Sequence, residues 1–471
     1  MRNILYNVAY TYNYFILVYV LVVSFWQIIQ LIGSLIIVYS NKRKEYLFGV
    51  DSLRKTPELI PISIIAPAYN EGPVIVDSVK GMLNLNYPVY EVVVVNDGSS
   101  DDSLEKLIKE FNLRKISYPI QRQVQCAKIR GVYRNPKIPK LTVIDKENGG
   151  AKADACNAGI NASRYPYFIN MDSDCLLDRD SLDWVARVFM NNKDCVAVGG
   201  MMRMSNGNEI KDYTVTNFRM PKNWWARFQV LEYSRAFLVG RTFNSQLGCL
   251  MVISGAFGAF HKASVIEVGG YSLDTIGEDM DLVMKLHAYM KENKRKYSIV
   301  FAPNAICWTQ GPETYKELRG QRRRWHAGLM QVMSKFKRLL LNPRYGTVGF
   351  IGMPYQFVYE LWGPVIELLG LIAMPLSFYL GIITPYGFLL FCTGGLLLGI
   401  LVSIGAIAVD MAVFNRKVQF KDFLQLAFLA LLDNFFYHFV NVVFRLQALF
   451  GKRKYKHRWE KITRTSFKDT K

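Results

Sequence analysis

The stretch Tyr167-Phe168-Ile169-Asn170-Met171-Asp172-Ser173-Asp174 decides how the rest of this chain is interpreted. Its first five residues are mostly apolar, which indicates a buried strand. Side chains two positions apart on an extended chain point the same way, so Asp172 and Asp174 offer two carboxylates to one cation. Hard divalent ions prefer oxygen ligands and keep room for water and substrate phosphates, which suits a metal that bridges to a diphosphate. The alternative interpretation is a polar turn in which an aspartate caps the following helix.

Short β-branched runs alternate with helix-like segments on both sides of this stretch. They lie at residues 62–66, 92–95, 141–144 and 196–198. Apolar runs of this kind are typical of a parallel sheet that is covered on both faces, so we predict an α/β fold. Open sheets of this class bind ligands at the carboxyl ends of their strands, and that is where the polar motifs of this chain follow.

Two polar loops follow the first two predicted strands. They are Ala66-Pro67-Ala68-Tyr69-Asn70-Glu71-Gly72 and Asn96-Asp97-Gly98-Ser99. Pro, Asn, Asp and Gly are turn formers, so both loops also fit ordinary turns. Their common position at strand ends favours a role in ligand binding.

Six motifs stand in a characteristic order along the chain. They are Pro67-Ala68-Tyr69-Asn70-Glu71, Asn96-Asp97-Gly98-Ser99, Asn148-Gly149-Gly150 with Lys152 and Asn157-Ala158-Gly159, Asp172-Ser173-Asp174, Gly277-Glu278-Asp279, and Gln321-Arg322-Arg323-Arg324-Trp325. With this order the chain resembles the membrane-embedded family 2 glycosyltransferases of the polysaccharide-synthase type. That group holds the cellulose, chitin, hyaluronan and poly-N-acetylglucosamine synthases. The resemblance spans residues 62–325, and the membrane layout at both ends matches it.

The resemblance implies a GT-A fold, a Rossmann-like domain with a mostly parallel sheet, that binds a nucleotide diphosphate sugar, most often a UDP-sugar. It also implies a role for each motif residue: Pro67, Tyr69, Glu71, Asp97, Lys152, Asp172 and Arg324 on the donor side, Asp172 and Asp174 at a Mg²⁺ or Mn²⁺ ion, Asp279 as general base, and Gly255 and Trp325 at the acceptor. One departure from the family pattern is Ala151, which stands between the two glycines and Lys152 and leaves the placing of that lysine open.

The chemistry of these residue types agrees with the implied roles. A departing UDP gathers negative charge as the glycosidic bond breaks, and a cation held by carboxylates stabilises that charge. A carboxylate that removes the proton of the acceptor hydroxyl contributes typically about 10² to 10⁴ in rate. Attack opposite the departing UDP would invert the anomeric centre, so an α-linked donor would give a β-linked product.

Simpler interpretations remain open for several of these residues. Glu278 and Asp279 also favour a helix N-terminus. Gly255 also fits a tight structural turn. Arg322 and Arg323 also fit a basic face near a membrane.

The N-terminal part of the chain has the character of a membrane span. Residues 14–39 are almost unbroken in their apolar character and exceed the roughly 20 residues that cross a bilayer. The stretch is too long for the core of a signal peptide, so we predict an uncleaved anchor. The basic run Asn41-Lys42-Arg43-Lys44 places its end in the cytoplasm.

Two interpretations are open for Trp224 and Trp225: these side chains stack on sugars, or they lie at the membrane interface.

Further membrane segments are predicted near the C-terminus. Two spans lie within residues 348–414, broken near Thr384-Pro385-Tyr386-Gly387, and Asn415-Arg416-Lys417 marks a return to the cytoplasm. Glu360 and Glu367 stand seven residues apart and therefore lie on one helix face. Two interpretations are open: the glutamates line a polymer exit, or they belong to an interfacial helix.

The last apolar segment, residues 420–450, carries several polar groups: Asp422, Asp433, His438 and Arg445. A third crossing would place the following basic residues outside the cell, so we predict a re-entrant or interfacial helical pair here. In the tail beyond it, Trp459, Thr463 and Arg464 resemble a segment that closes over UDP in some relatives. The alternative for that tail is a disordered basic terminus.

These features divide the chain into four predicted parts. They are a transmembrane anchor at 1–41, a cytoplasmic GT-A domain at 42–345, transmembrane and interfacial helices at 346–450, and a basic cytoplasmic tail at 451–471. The net charge is +20, from 58 basic and 38 acidic residues. Much of the excess lies in juxtamembrane clusters, so we expect membrane lipids and a negatively charged donor as partners and no nucleic acid. Seven cysteines without a C-x-x-C pair argue against a disulfide framework or a zinc site.

We therefore predict an inverting, metal-dependent glycosyltransferase of the inner membrane whose catalytic domain is cytoplasmic. It would transfer sugars from a UDP-sugar donor to a growing β-linked polysaccharide, with N-acetylglucosamine or glucose as the favoured sugar. One alternative is a non-processive enzyme that glycosylates a lipid. A second alternative is a non-catalytic membrane scaffold with a nucleotide-sugar fold, against which the intact Asp172, Asp174, Asp279 and Trp325 argue.

Overall fold

The computed structural model describes residues 2–47, 54, 56, 58–414 and 420–451. Two predictions lie outside these residues: the basic run Asn415-Arg416-Lys417 and the tail motif at Trp459, Thr463 and Arg464.

Twelve strands are present in the described part of the chain. They are β1 (Ile62–Ala68), β2 (Tyr90–Asn96), β3 (Arg114–Ile116), β4 (Ile129–Arg134), β5 (Leu141–Lys146), β6 (Tyr167–Met171), β7 (Leu176–Leu177), β8 (Cys195–Met204), β9 (Glu209–Lys211), β10 (Thr214–Asn217), β11 (Phe257–His261) and β12 (Ser298–Thr309). β9 and β10 form a separate hairpin, and the other ten form one sheet in the order β3-β4-β5-β2-β1-β6-β11-β8-β12-β7.

The centre of the large sheet is parallel. β5, β2, β1 and β6 run in one direction, and all seven residues of β1 and of β2 are buried because helices cover both faces. All five predicted strands are present, so the α/β prediction is confirmed. β11 was not predicted; it runs antiparallel between β6 and β8. β12 was also missed, because Pro303 and Asn304 interrupt its apolar pattern at an irregularity of the ladder.

The register of the parallel strands brings their carboxyl ends to one edge. Ala68 at the end of β1 pairs with Asn96 at the end of β2, and Asn96 pairs with Asp145 near the end of β5. The polar loops therefore emerge side by side. Asn70, which has a φ of +56°, accepts a hydrogen bond from the Ser100 backbone N–H at 2.8 Å, so the first two loops also bind each other.

The helices that alternate with these strands or follow them lie between residues 75 and 345. They are α2 (Ile75–Leu83), α3 (Ser103–Glu110), α4 (Lys152–Ala162), α5 (Ser181–Asn191), α6 (Trp224–Tyr233), a π-helix (Ser234–Arg241), α7 (Thr242–Gln246), α8 (Lys262–Glu267), α9 (Glu278–Glu292), α10 (Tyr315–Lys335) and two 3₁₀ turns (Lys337–Leu339 and Pro343–Tyr345). α4 packs so closely on β1 that a Cβ on Gly159 would lie 2.2 Å from Ile65 Cγ2. Gly159 in the third motif is therefore explained by packing.

The remaining helices are apolar. They are α1 (Arg2–Leu47), π-helical segments at Val348–Gly352 and Tyr355–Leu361, α11 (Gly363–Tyr379), α12 (Pro385–Phe414), α13 (Phe420–Leu432), a π-helical segment (Asp433–Tyr437) and α14 (His438–Phe450). Among the described residues, three helices are long and apolar enough to cross a membrane: Tyr6–Asn41, Pro385–Val413 and Leu424–Phe450. A fourth candidate is the pair Val348–Leu361 and Gly363–Tyr379, which is bent by 48°.

The prediction of a helical pair over residues 420–450 was wrong. The segment is one continuous helical stretch with a π-helical middle, since it contains neither Gly nor Pro to break it. Two of its charged groups have partners elsewhere in the chain: Asp433 is paired with Arg235, and Arg445 lies 3.0 Å from Glu360. α1 packs beside α11, and the Tyr12 hydroxyl donates to the Ile366 carbonyl at 2.9 Å. The N-terminal and C-terminal apolar helices therefore form one bundle.

Candidate active site

The two aspartates of the opening stretch follow β6 directly. Ligand atoms of Asp172, Asp174 and Cys175 all lie within 4.8 Å of one another. A hydrogen bond with Cys307, together with burial, raises the pKa of the Cys175 thiol well above its usual value. A protonated thiol is a poor ligand for a hard ion, so the two carboxylates are the residues that fit Mg²⁺ or Mn²⁺.

Lys152 begins α4 and reaches the first of these carboxylates. Ala151, the residue that departs from the family pattern, takes the extended N-cap position of the helix, with φ −147° and ψ 144°. From there the Lys152 ammonium forms an ion pair with Asp172 and donates to the Gly255 carbonyl at 2.7 Å. Burial lowers the pKa of Lys152, but the Asp172 carboxylate outweighs this effect and the pKa is raised. The site formed by Asp172 and Asp174, here called the cation seat, therefore already stabilises one positive charge.

The segment that carries Gly255 lies beside the cation seat because of strand pairing. β11 pairs antiparallel with β6, with Phe257 opposite Met171, so the residues before β11 run alongside the residues after β6. The Gly255 backbone N–H donates to Asp279 Oδ2 at 3.0 Å. The two backbone groups of Gly255 therefore connect Asp279 to Lys152, and Lys152 contacts Asp172 directly.

Asp279 is the second residue of α9, where its Oδ1 accepts a hydrogen bond from the Met280 N–H at 2.7 Å. Its neighbour Glu278 is placed differently. Burial, and then the negative charge of Asp279, raise the pKa of Glu278 to about 7, although Lys152 opposes the shift. The start of α9 touches α10 through two glycines, since a Cβ on Gly328 would lie 3.0 Å from the Gly277 nitrogen. This contact was not predicted.

A single cavity of about 1470 Å³, here called the central cavity, connects these groups. Seven predicted site residues line it: Lys152, Asp172, Asp174, Gly255, Asp279, Arg324 and Trp325. Four predicted donor residues are not part of its lining: Pro67, Tyr69, Glu71 and Asp97. Pro67 lies near the end of β1, and Tyr69, Glu71 and Asp97 lie in the loops after β1 and β2, at the same edge of the sheet.

Known proteins resemble this chain over most of its length. The model of glycosyl transferase family 2 matches residues 63–258, and that of glycosyl transferase family group 2 matches residues 167–392. Poly-beta-1,6-N-acetyl-D-glucosamine synthase of Staphylococcus aureus (strain COL) is 30% identical over 348 residues, which are 72% of this chain and 71% of the relative. The chain belongs to glycosyltransferase family 2.

Two further proteins resemble this glycosyltransferase less closely. The poly-beta-1,6-N-acetyl-D-glucosamine synthase of Staphylococcus epidermidis is 29% identical over 272 residues, 58% of this chain and 55% of the relative. A mannosyltransferase from Pyrobaculum calidifontis, solved in complex with GDP-Man and Mn²⁺, aligns with a TM-score of 0.49 at 17% identity and covers 86% of this chain and 99% of its own. The mostly parallel sheet and the family membership, taken together, confirm the GT-A fold that the sequence motifs implied.

Asp97 of the glycosyltransferase is held by a lysine that was not predicted. Lys146, at the end of β5, is fully buried and forms ion pairs with both Asp97 and Asp154. Asp97 Oδ1 also accepts from the Gly149 N–H at 3.2 Å. Burial raises the pKa of Asp97, against the opposing effect of the Lys146 ammonium. The only sequence signal for this group was a charged residue at the end of an apolar strand.

Arg241 is a second residue without a sequence signal. It lies at the end of the π-helix Ser234–Arg241 and lines the central cavity. Burial lowers the pKa of its guanidinium to about 10, while the Asp279 carboxylate acts in the opposite direction. The cavity therefore carries a cation near the predicted base as well as near the cation seat.

The structure bears on several alternatives in the rest of the glycosyltransferase. Arg322 is not part of a basic surface, because its side chain is 4% exposed. Neither Trp224 nor Trp225 lines the central cavity. Trp225 packs instead on Tyr315, with ring centroids 5.9 Å apart.

Glu360 and Glu367 both line the central cavity beside the apolar helices, and each has a partner of opposite charge or a hydrogen-bond partner. Glu360 pairs with Arg445, and Glu367 Oε2 lies 2.8 Å from His438 Nε2. Gly395 and Gly399 of α12 line the same region. The cavity thus extends from the cation seat to the level of the apolar helices.

Proposed function

We propose that this family 2 glycosyltransferase transfers a sugar with inversion from a UDP-sugar to a growing β-linked polysaccharide at the cytoplasmic face of the inner membrane. The observation that carries the proposal is the chain of contacts from Asp172 through Lys152 and the backbone of Gly255 to Asp279. It joins a cation seat to a carboxylate base within one cavity, although more than a hundred residues separate the two in sequence.

On the donor side, the residues of this chain bind and orient the diphosphate. Asp172 and Asp174 would hold Mg²⁺ or Mn²⁺, which when bound supplies positive charge to the leaving UDP. Lys152 and Arg324 line the same cavity and offer further donors to phosphate oxygens. The loops that carry Tyr69 and Asp97 would hold the nucleoside at the neighbouring strand ends.

On the acceptor side, Asp279 removes the proton of the attacking hydroxyl. The hydrogen bonds from the Gly255 and Met280 N–H groups fix its carboxylate. Trp325 is 45% exposed and lines the cavity, where a broad ring suits the apolar face of a sugar. A hydroxyl held there attacks from the side opposite the leaving UDP, which inverts the anomeric centre.

N-acetylglucosamine is the sugar we propose first. The support is the 30% identity to the poly-beta-1,6-N-acetyl-D-glucosamine synthase of Staphylococcus aureus over 72% of this chain. A β-1,6 linkage is accordingly the first linkage to test. The cytoplasmic side of the catalytic domain follows from the basic residues 42–44 after the first apolar segment.

The lining of the central cavity favours a sugar polymer over a lipid acceptor. At the level of the apolar helices the cavity carries two polar pairs, Glu360 with Arg445 and Glu367 with His438. Ionisable groups at such depth usually face a polar path, and a hydrocarbon chain would gain nothing from them. A polymer rich in hydroxyl and amide groups would find hydrogen-bond partners along the same surface.

The test is turnover by the purified full-length protein in detergent or lipid discs. UDP-N-acetylglucosamine, UDP-glucose and UDP-galactose are supplied in turn with Mg²⁺ or Mn²⁺, and UDP release and product length are measured. We expect release with UDP-N-acetylglucosamine and a product ladder that β-1,6-specific hydrolysis degrades. A single transferred sugar on a lipid would support the non-processive alternative, and no release from any donor would support the scaffold.

A further inference from the structure

Arg322 stands one helical turn before Trp325, so the two side chains share a face of α10. The Arg322 guanidinium carbon lies 4.3 Å from the centre of the Trp325 ring, which is the geometry of a cation–π contact. The arginine is 4% exposed and the tryptophan is 45% exposed. Arg322 is therefore the buried member of the pair, and the exposed ring of Trp325 lies against it.

Two other helices fix Arg322. Its Nη2 lies 2.6 Å from Glu232 Oε2 on α6 and donates to the Tyr437 hydroxyl at 3.3 Å. The Tyr437 hydroxyl in turn donates to the same carboxylate oxygen at 2.7 Å. Guanidinium, carboxylate and phenol thus close a triangle between α6, α10 and the π-helical segment Asp433–Tyr437.

Aromatic packing makes this triangle rigid. The Tyr437 ring stacks on Phe228 of α6, with centroids 4.9 Å apart and an angle of 15° between the planes. Tyr437 itself is 1% exposed. Removing Glu232 would leave a buried charge without its counter-ion, which is costly, so Arg322 has little freedom to take another orientation.

We propose that Arg322, held by Glu232 and Tyr437, is a positioning residue that orients Trp325 for the acceptor sugar. This inference rests on the proposed function, because it takes Trp325 as the acceptor-binding ring. It adds that the orientation of the ring is set by the last apolar helical stretch, through Tyr437, and not by α10 alone. Arg322 acts through Trp325 and contributes nothing to donor binding.

The experiment is a double-mutant cycle on the full-length enzyme with UDP-N-acetylglucosamine and a short N-acetylglucosamine oligosaccharide. The variants are Arg322→Gln, Trp325→Ala and their combination, and Arg338→Gln is the matched control, because Arg338 pairs with Glu292 on the surface and is 62% exposed. We expect Arg322→Gln to raise the acceptor KM about tenfold. The donor KM and the slow release of UDP to water should stay within about twofold of wild type, and Arg338→Gln should change nothing.

The decisive readout is the coupling between the two sites. In the Trp325→Ala background, Arg322→Gln should raise the acceptor KM no further. Additive effects, or an equal rise in the donor KM, would overturn the inference. Should Arg322→Gln fail to fold, the pair Arg322→Met with Glu232→Met removes both charges together and carries the same test. Wild-type enzyme that turns over no donor would instead contradict the proposed function.

Discussion

The ammonium of Lys146 forms a fully buried ion pair with the carboxylate of Asp97, across the ends of β5 and β2. Asp154 of α4 completes the group from the other side. Three elements that surround the predicted nucleoside site therefore depend on one buried positive charge.

Lys146→Met should destabilise the fold strongly, because it leaves two buried carboxylates without a counter-charge. We expect a loss of about 3 to 5 kcal/mol in the free energy of unfolding. Burial already raises the pKa of Asp97 against the effect of the Lys146 ammonium, so without the lysine the folded variant should take up a proton there more readily than wild type, and the loss should shrink as the pH falls. Thermal unfolding at several pH values measures both effects, with Lys80→Met in a surface pair with Glu110 as the control. A loss independent of pH would contradict this account.

Asp174→Asn tests the cation seat. The variant loses one negative oxygen ligand, so the Mn²⁺ concentration for half-maximal UDP release should rise at least about tenfold. UDP binding measured by calorimetry in the presence of a chelator should be unchanged. Asp194→Asn on the exposed surface is the control. An unchanged Mn²⁺ dependence in Asp174→Asn would remove this residue from the metal site.

Glu278→Gln tests the environment of the base. The folded state raises the pKa of Glu278 from 4.5 to about 7, so the folded protein binds more protons than the unfolded chain between these values. Its contribution to stability therefore falls as the pH rises through this window. The Tm of Glu278→Gln in metal-free buffer should match wild type near pH 5 and exceed it near pH 8. A gain of the same size at both pH values would show that ionisation is not the cause.

Gly328→Ala tests the contact between α9, which carries Asp279, and α10, which carries Trp325. Its Cβ would lie 3.0 Å from the Gly277 nitrogen, a backbone atom that can yield only if α9 and α10 move apart. Small displacements of catalytic groups are costly, so kcat should fall about tenfold while UDP binding is retained. Gly394→Ala, where a Cβ would meet nothing within 4 Å, is the control. Equal activities of the two variants would show that this close contact does not set the geometry.

Local signals in the sequence were enough for five strands of the large sheet. The apolar run before Asp172 marked β6, and the position of the polar motifs at strand ends predicted that they would lie at one edge of the sheet. Both features depend on neighbours in sequence. The cavity shared by Asp174, Asp279 and Trp325 followed from the order of the motifs.

What was missed depends on contacts between distant elements. Nothing near Lys146 in sequence indicates that Asp97 and Asp154 would surround it. Arg322 has the local appearance of a surface arginine, but it is buried, and its partners Glu232 and Tyr437 lie on other helices. The continuous helix at residues 420–450 was missed for the same reason, since its charged side chains pair with groups outside the segment.

The most direct test of the account is the turnover of Asp279→Asn. The amide keeps the size of the side chain but cannot take the acceptor proton, so UDP release in the presence of acceptor should fall by about 10² or more. UDP binding should be retained, because Asp172 and Asp174 are untouched. Turnover within a few-fold of wild type would contradict the role of Asp279 as base, and with it the proposed mechanism.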